Sequence, residues 1–329
     1  MNNLVISQTQ HIDNTNININ QLLKEFYESI DVDDITIKTY KKGINNFIKW
    51  LSSNDIHAID KKVMLSYKQY LIETYKDTTA TTYLSGVRNL FNFLEELGIP
   101  NVMRNVKGVK ITREFRKQPL TKDQVLKIKK DRSNNLITLQ DYRDFVMFNL
   151  LLHNGLRTIE LNRADKEDIK NVGGQYILKI QGKGKKAKTQ VAVLTDSVLI
   201  PLLEYLEMRG EDNHPALFIS LSSNCYGKRL STKTISKRIK TILVNNGYRS
   251  KDLTAHSLRH TSLTFALKGG ATLQETKELA RHSDINTTLI YSHNIDRVEN
   301  APEQYIEKYL TSDDTDRKDR DNGKDNNNM

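Results

Sequence analysis

Residues Thr254–His293 read TAHSLRHTSLTFALKGGATLQETKELARHSDINTTLIYSH. The spacing predicts three short helices and their joints, the first opened by Thr254 as N-cap. His256 and Arg259 then lie three apart on one helical face, with His260 a turn beyond His256. His282 and Tyr291 follow downstream. A second basic cluster stands earlier in the chain, at Gly155-Leu156-Arg157-Thr158-Ile159-Glu160-Leu161. Arginines that keep their protons, histidines that titrate near neutrality and a tyrosine hydroxyl suit a phosphate centre attacked by a phenol.

The charge of the chain agrees with such a substrate. Its 329 residues hold 50 Lys+Arg against 40 Asp+Glu, a net +10. The last 19 residues carry six Asp and four basic residues, and the first 20 carry only Asp13. The body from 21 to 310 therefore holds +13. So basic a body favours a polyanionic partner, nucleic acid first and an anionic membrane surface second. Cys225 is the one cysteine, which excludes an intramolecular disulfide and a cysteine-based zinc finger and fits a reducing cytosol. The start of the chain does not read as a secretory signal, and the most apolar run, Phe145–Leu152, is too short to span a bilayer. A cytoplasmic protein is expected.

Outward from the quoted stretch, the chain divides by pattern. Residues 1–20 are Asn-rich and read as a flexible N-terminus. From 21 to 100 the apolar stripes are helical: Ile37, Tyr40, Ile44, Phe47, Ile48 and Leu51; then Val63, Tyr67, Tyr70 and Leu71; then Tyr83 to Leu97. Thr78 and Thr79 offer the last helix its N-cap, and Gly98 with Pro100 ends it. Residues 101–118, NVMRNVKGVKITREFRKQ, read as a basic linker between Pro100 and Pro119.

A second domain, 119–310, opens on the capping-box pattern Thr121-Lys122-Asp123-Gln124. Strand-like runs at Tyr176–Ile180 and Gln190–Leu194 enclose a glycine- and lysine-rich tip, a β-hairpin. Helices resume at 196–208 and 231–245, and one short amphipathic helix, 302–310, precedes a low-complexity tail at 311–329. The fold class is mainly α with a small β-hairpin or sheet, on an N-terminal helical bundle.

Each candidate residue also has an ordinary reading. Arg157 sits at a helix joint where a guanidinium can meet an anion, yet Arg157 and Glu160 could equally be a surface pair. Lys183, between Gly182 and Gly184, could give a proton to a leaving alkoxide or simply solubilise a turn. His256 and His260 have zinc-ligand spacing with His282 as the only evident third ligand, but His260 also reads as a packed helix histidine. Nothing local marks Tyr291 out from the other 13 tyrosines.

Their joint order is more specific. G-L-R-x-x-E-L, G-K-G in a hairpin, H-x-L-R-H, a further His, and a Tyr nine residues on resemble the tyrosine recombinase (phage integrase) family. The resemblance covers 119–310 well and 21–98 in kind. It implies a catalytic set of Arg157, Lys183, His256, Arg259, His282 and Tyr291. Arg157 and Arg259, with a hydrogen bond from His282, would hold the scissile phosphate. Tyr291 would attack it, Lys183 would be the general acid, and His256 would assist proton transfer at the nucleophile. Glu160 is read as a brace behind them.

The resemblance further implies a 3′-phosphotyrosyl intermediate and a Holliday junction, with no metal, ATP or other cofactor. The partners implied are double-stranded DNA core sites, a tetramer assembled on them, and possible help from a directionality factor. Helix 302–310 would pass to a neighbouring copy. Integration and excision of a mobile element is the first setting, with chromosome or plasmid multimer resolution as the alternative. A non-cleaving DNA-binding regulator, a type IB topoisomerase-like enzyme and a histidine-metal nuclease are the competing classes. One departure stands out: Arg281 occupies the place, before the third-box histidine, where the family usually has Gly.

Overall fold

The computed structural model describes residues 5–6, 19–110, 119–182, 184–185, 187–292 and 302–312. The chain divides into two compact units, Met1–Glu114 and Phe115–Met329.

In the first unit, α1 (Ile19–Ser29), α2 (Asp34–Ser53), α3 (Lys61–Thr74) and α4 (Asp77–Glu96) pack on the stripes that the spacing predicts. Ile44, Phe47 and Leu51 of α2 meet Tyr67 and Leu71 of α3 and Leu84, Val87, Phe91 and Leu94 of α4 in one buried core. Asp33 and Asp60 cap α2 and α3 by accepting from the N–H groups of Thr36 and Val63. α4 starts earlier than expected: Asp77 occupies its first turn, so Thr78 and Thr79 lie inside the helix. Two glycines let α2 and α4 touch backbone to backbone. A Cβ on Gly43 would stand 2.9 Å from the Cα and carbonyl oxygen of Tyr83, and one on Gly86 3.2 Å from the same atoms of Tyr40.

Two segments differ from the sequence reading. Val5–Ile6, in the stretch expected to be flexible, form a strand β1 paired in parallel with β2 (Ala58–Ile59). Val102, Met103 and Val106, read as linker, are buried in the bundle core. These three apolar residues repeat over a single turn, too briefly for a periodic pattern to stand out, and Arg88 fixes the segment by donating to the Val106 carbonyl at 2.7 Å.

In the second unit, α5 (Lys122–Ser133) and α6 (Leu139–His153) lead to α7 (Thr158–Arg163). A three-stranded antiparallel sheet follows, β3 (Ile169–Val172), β4 (Gln175–Ile180) and β5 (Gln190–Val193), in the order β3-β4-β5. The hairpin is therefore joined by one further strand. Gly173 and Gly174, both at positive φ, make the two-residue turn between β3 and β4. Then come α8 (Asp196–Arg209), α9 (Thr232–Asn245), α10 (Ala255–Lys268), α11 (Leu273–Ala280), α12 (Asn286–Ser292) and α13 (Pro302–Ser312).

The core of this unit joins α6, α8, α9 and α10 to the inner face of the sheet through Phe148, Leu151, Leu202, Ile239, Leu258 and Leu178. The Leu120 N–H donates to the buried Thr261 hydroxyl at 2.9 Å, which fastens the start of the unit to α10. The apolar side chains Ile306, Tyr309 and Leu310 on α13 are exposed. Among the described residues no helix is long and apolar enough to cross a membrane.

Candidate active site

Three joints in the backbone converge. The first is the end of α6, where Gly155 at φ +55° turns the chain so that Arg157 becomes the N-cap of α7. The second is α10, which carries His256, Arg259 and His260. The third is the stop of α11, where Arg281 adopts the left-handed region (φ 54°, ψ 45°). There the Arg281 N–H donates to the Glu278 carbonyl and the His282 N–H to the Lys277 carbonyl. A non-glycine residue here costs about 1–2 kcal/mol. That is why glycine would be the ordinary choice.

Side chains bind the joints together. Arg259, 1% exposed, donates to the carbonyls of Gly155 and Ala280 and meets His282 Nε2 at 3.1 Å. Arg281 donates to the carbonyls of Leu279 (2.8 Å), Asn154 (3.2 Å) and Gly155 (3.0 Å). It also donates to Glu160 Oε2 at 3.0 Å. Glu160, whose side chain is fully buried, takes the Arg157 guanidinium on Oε1 and the Arg157 main-chain N–H on Oε2, both at 2.8 Å. The brace read from sequence thus serves two arginines.

The electrostatics follow from this packing. Burial would raise the Glu160 carboxyl, but Arg281 and Arg157 hold it below the ordinary value. Burial, then Arg157 and Arg281, bring Arg259 down to about 9, so it stays a cation at neutral pH. Burial and the three arginines push His282 down to about 4, so its imidazole is neutral. A guanidinium can only donate, so Nε2 of His282 is the acceptor and Nδ1 carries the proton, given to the Thr288 hydroxyl at 2.9 Å. Both ring nitrogens are engaged here. A hydrogen bond from His282 Nε2 to any anion in the cleft would therefore require release of Arg259 and the gain or shift of a proton.

Tyr291 is 4% exposed and packs with Leu263 and Ala280. Burial raises its hydroxyl above the ordinary value, while Arg259 and Arg157 act to lower it. Its ring lies 5.0 Å from that of His260 and 6.3 Å from that of His282. His256 is exposed and stacks edge-on against His260 at 4.4 Å, so the ring contacts run His256, His260, Tyr291. Arg157, Arg281 and His282 open onto a cleft of about 780 Å³, also lined by Lys185 and Lys277. Lys183 lies outside the described residues. At the end of its loop, Lys188 ion-pairs with Asp165 and Asp168 and ties the start of β5 to the segment that leads into β3. Among the described residues no group of three or more His, Cys, Asp or Glu could hold a metal ion.

The structure brings Arg157, Glu160, Arg259, His282 and Tyr291 together and joins His256 through His260. Arg281, Thr288 and His260 also have places in the cluster. The sequence marks His260 as a packed helix histidine and Arg281 as an arginine where glycine was expected, and gives no signal for Thr288.

The description "Phage integrase family" matches residues 118–297, more than half of the chain. The chain belongs to that family. It is a tyrosine recombinase, an enzyme that cuts and rejoins DNA at specific sites. Residues 21–98 match "Phage integrase, N-terminal SAM-like domain". A tyrosine recombinase XerD of Staphylococcus epidermidis is 28% identical over 290 residues, 84% of this chain and 94% of that protein. A XerD of Staphylococcus saprophyticus is 36% identical over 160 residues, but the match spans about half of each protein, 48% and 52%. A tyrosine recombinase XerC of Chlamydia muridarum is 30% identical over 68% of this chain and 70% of its own. XerH site-specific recombinase bound to palindromic difH substrate shares the fold at TM-score 0.70 and 20% identity. That match covers 87% of this chain and 84% of the other.

Proposed function

We propose that this recombinase cleaves DNA with Tyr291 and holds the scissile phosphate with Arg157, Arg259 and His282. The observation that carries the reading is the charge around the cleft. Arg157, Arg259 and Arg281 against the one carboxylate packed among them, Glu160, with His282 neutral, leave two positive charges near the Tyr291 ring, and on the cleft wall Lys185 and Lys277 outnumber Glu278. A phosphodiester gains negative charge as the nucleophile adds, and fixed cations favour that state over the ground state.

The Tyr291 oxygen forms a bond to phosphorus and the bond to the 5′-oxygen breaks. The phenolic proton leaves towards the His260–His256 side, and Lys183, carried forward from the family resemblance, protonates the departing 5′-oxygen. The bond energy is kept in a 3′-phosphotyrosine until the 5′-hydroxyl of a partner duplex attacks it. No step calls for a metal or ATP. Because Tyr291 is buried in the free chain, DNA binding has to uncover it.

Exchange between two duplexes requires four sites, hence a tetramer passing through a Holliday junction. The exposed apolar side chains of α13 suit docking on a neighbouring copy. Removal of residues 301–329 should then abolish cooperative DNA binding, and retention of it would refute this role. The setting expected from sequence is integration and excision of a mobile element, with or without a directionality factor. The XerD-named relative matched over most of its length favours multimer resolution as a second setting. The work of either setting takes place in the cytoplasm.

The test uses nicked DNA fragments from the ends of the element or replicon that encodes the protein, with chelator present. A covalent protein–DNA band on a denaturing gel should form with wild type and vanish with Tyr291→Phe. Tight binding without a band would instead indicate a non-cleaving regulator. A band that survives Tyr291→Phe would mean another nucleophile. The fragments that react distinguish the two settings.

A further inference from the structure

Arg281 bears two costs that a glycine at this position would avoid. Its backbone is left-handed, and its guanidinium is nearly dry, with 4% of the side chain exposed. In return it binds three carbonyls and one oxygen of Glu160. That last contact has a chemical consequence. The Glu160 carboxylate has two oxygens, and Arg157 gives it one guanidinium N–H, on Oε1. Oε2 is filled by Arg281 and the main-chain N–H of Arg157. A forked, two-bond embrace of Arg157 by Glu160 is therefore blocked, and the remaining donors of Arg157 stay available on the cleft wall.

We propose that Arg281 is a positioning residue for strand cleavage: it occupies one oxygen of Glu160 and so keeps Arg157 turned to the phosphate. This rests on the recombinase reading above. Without Arg281, Glu160 has only Arg157 as its close cation and draws it inward. The net charge of the cluster falls from two to one at the same time. Both effects weaken the hold on a phosphate that is gaining charge, and both are reversed if Glu160 is neutralised as well. A side chain that merely closed the α11 turn would not be replaceable in that way.

The experiment compares covalent product formation at saturating protein on the reactive nicked fragment, together with fragment affinity by gel shift. Arg281→Gly removes the side chain and eases the backbone. Arg281→Gln keeps bulk and hydrogen bonding without charge, and serves if the glycine variant does not fold. Each should slow cleavage on the order of 10- to 100-fold, while the dissociation constant moves by less than about threefold. Arg281→Lys should stay within a few-fold of wild type. Arg281→Gly/Glu160→Gln should regain about tenfold over Arg281→Gly. Wild-type cleavage rates in Arg281→Gly or Arg281→Gln would overturn the proposal, as would a double variant no faster than Arg281→Gly. If wild type itself forms no covalent product, the recombinase reading fails, and this one with it.

Discussion

Glu160→Gln should destabilise the catalytic unit well beyond what its nearly unchanged shape suggests. In the native chain the carboxylate accepts from Arg157 twice and from Arg281 once, with no exposure of its side chain. A glutamine keeps one acceptor oxygen and turns an NH₂ towards the other guanidinium, so donors face donors. Removing one partner's charge from a buried ion pair costs roughly 3–5 kcal/mol. At about 2–4 °C per kcal/mol for a unit of this size, the melting temperature should fall by roughly 6–20 °C at pH 7.

The effect should also depend on pH in a defined direction. The folded-state value of Glu160 is depressed below 4.5, so its contribution is complete above that value and is lost as pH falls through the depressed one. Glutamine gains no proton, so the two melting curves should converge in acid. Thermal melts by circular dichroism at pH 7, 5 and below 4 give the comparison. A variant within about 2 °C of wild type at pH 7, or a gap that stays constant into acid, would refute the argument that this carboxylate is an ionised keystone between two arginines.

Other outcomes can be stated more briefly. Gly43→Ala places a methyl 2.9 Å from the backbone of Tyr83 and should destabilise the first unit by about 1–3 kcal/mol. Gly108→Ala, which meets open space, is the control in the same melt. Thr288→Val removes the acceptor that holds the His282 proton on Nδ1 and so eases its shift to Nε2. Cleavage should be no slower than wild type with DNA affinity unchanged, and a loss of about tenfold would contradict this. His153 and His282 are both driven down to about 4, His153 by burial and Lys129. Their neutral forms favour the fold above pH 6.5, so stability should decline as pH falls from 6.5 towards 4. A melting temperature flat across that interval would contradict this.

What could be read beforehand depended on how local each signal was. Thr254 opens α10 as its sequence indicates, and the Thr121 capping box opens α5, because capping involves residues three apart. β3 is not legible in the sequence although Val172-Gly173-Gly174-Gln175 is a hairpin turn, since a four-residue strand of mixed polarity has no alternation to betray it. Val102 and Met103 looked like linker because their partners are on other helices. The pairing of Arg281 with Glu160 joins positions 121 residues apart, and only the fold reveals it. The same holds for the burial of Tyr291, which depends on how α10, α11 and α12 pack rather than on its neighbours in the chain.

With Tyr291 as the proposed nucleophile, that burial would make chemical silence the resting condition of the free protein. Uncovering Tyr291 imposes an energetic toll that is the same for every piece of DNA the protein meets. A duplex offering the full set of contacts can cover the toll from its binding energy, whereas one that offers only its phosphates has less to spend. On that reading the buried tyrosine sets a threshold: a duplex held too weakly to uncover it is bound without being cut.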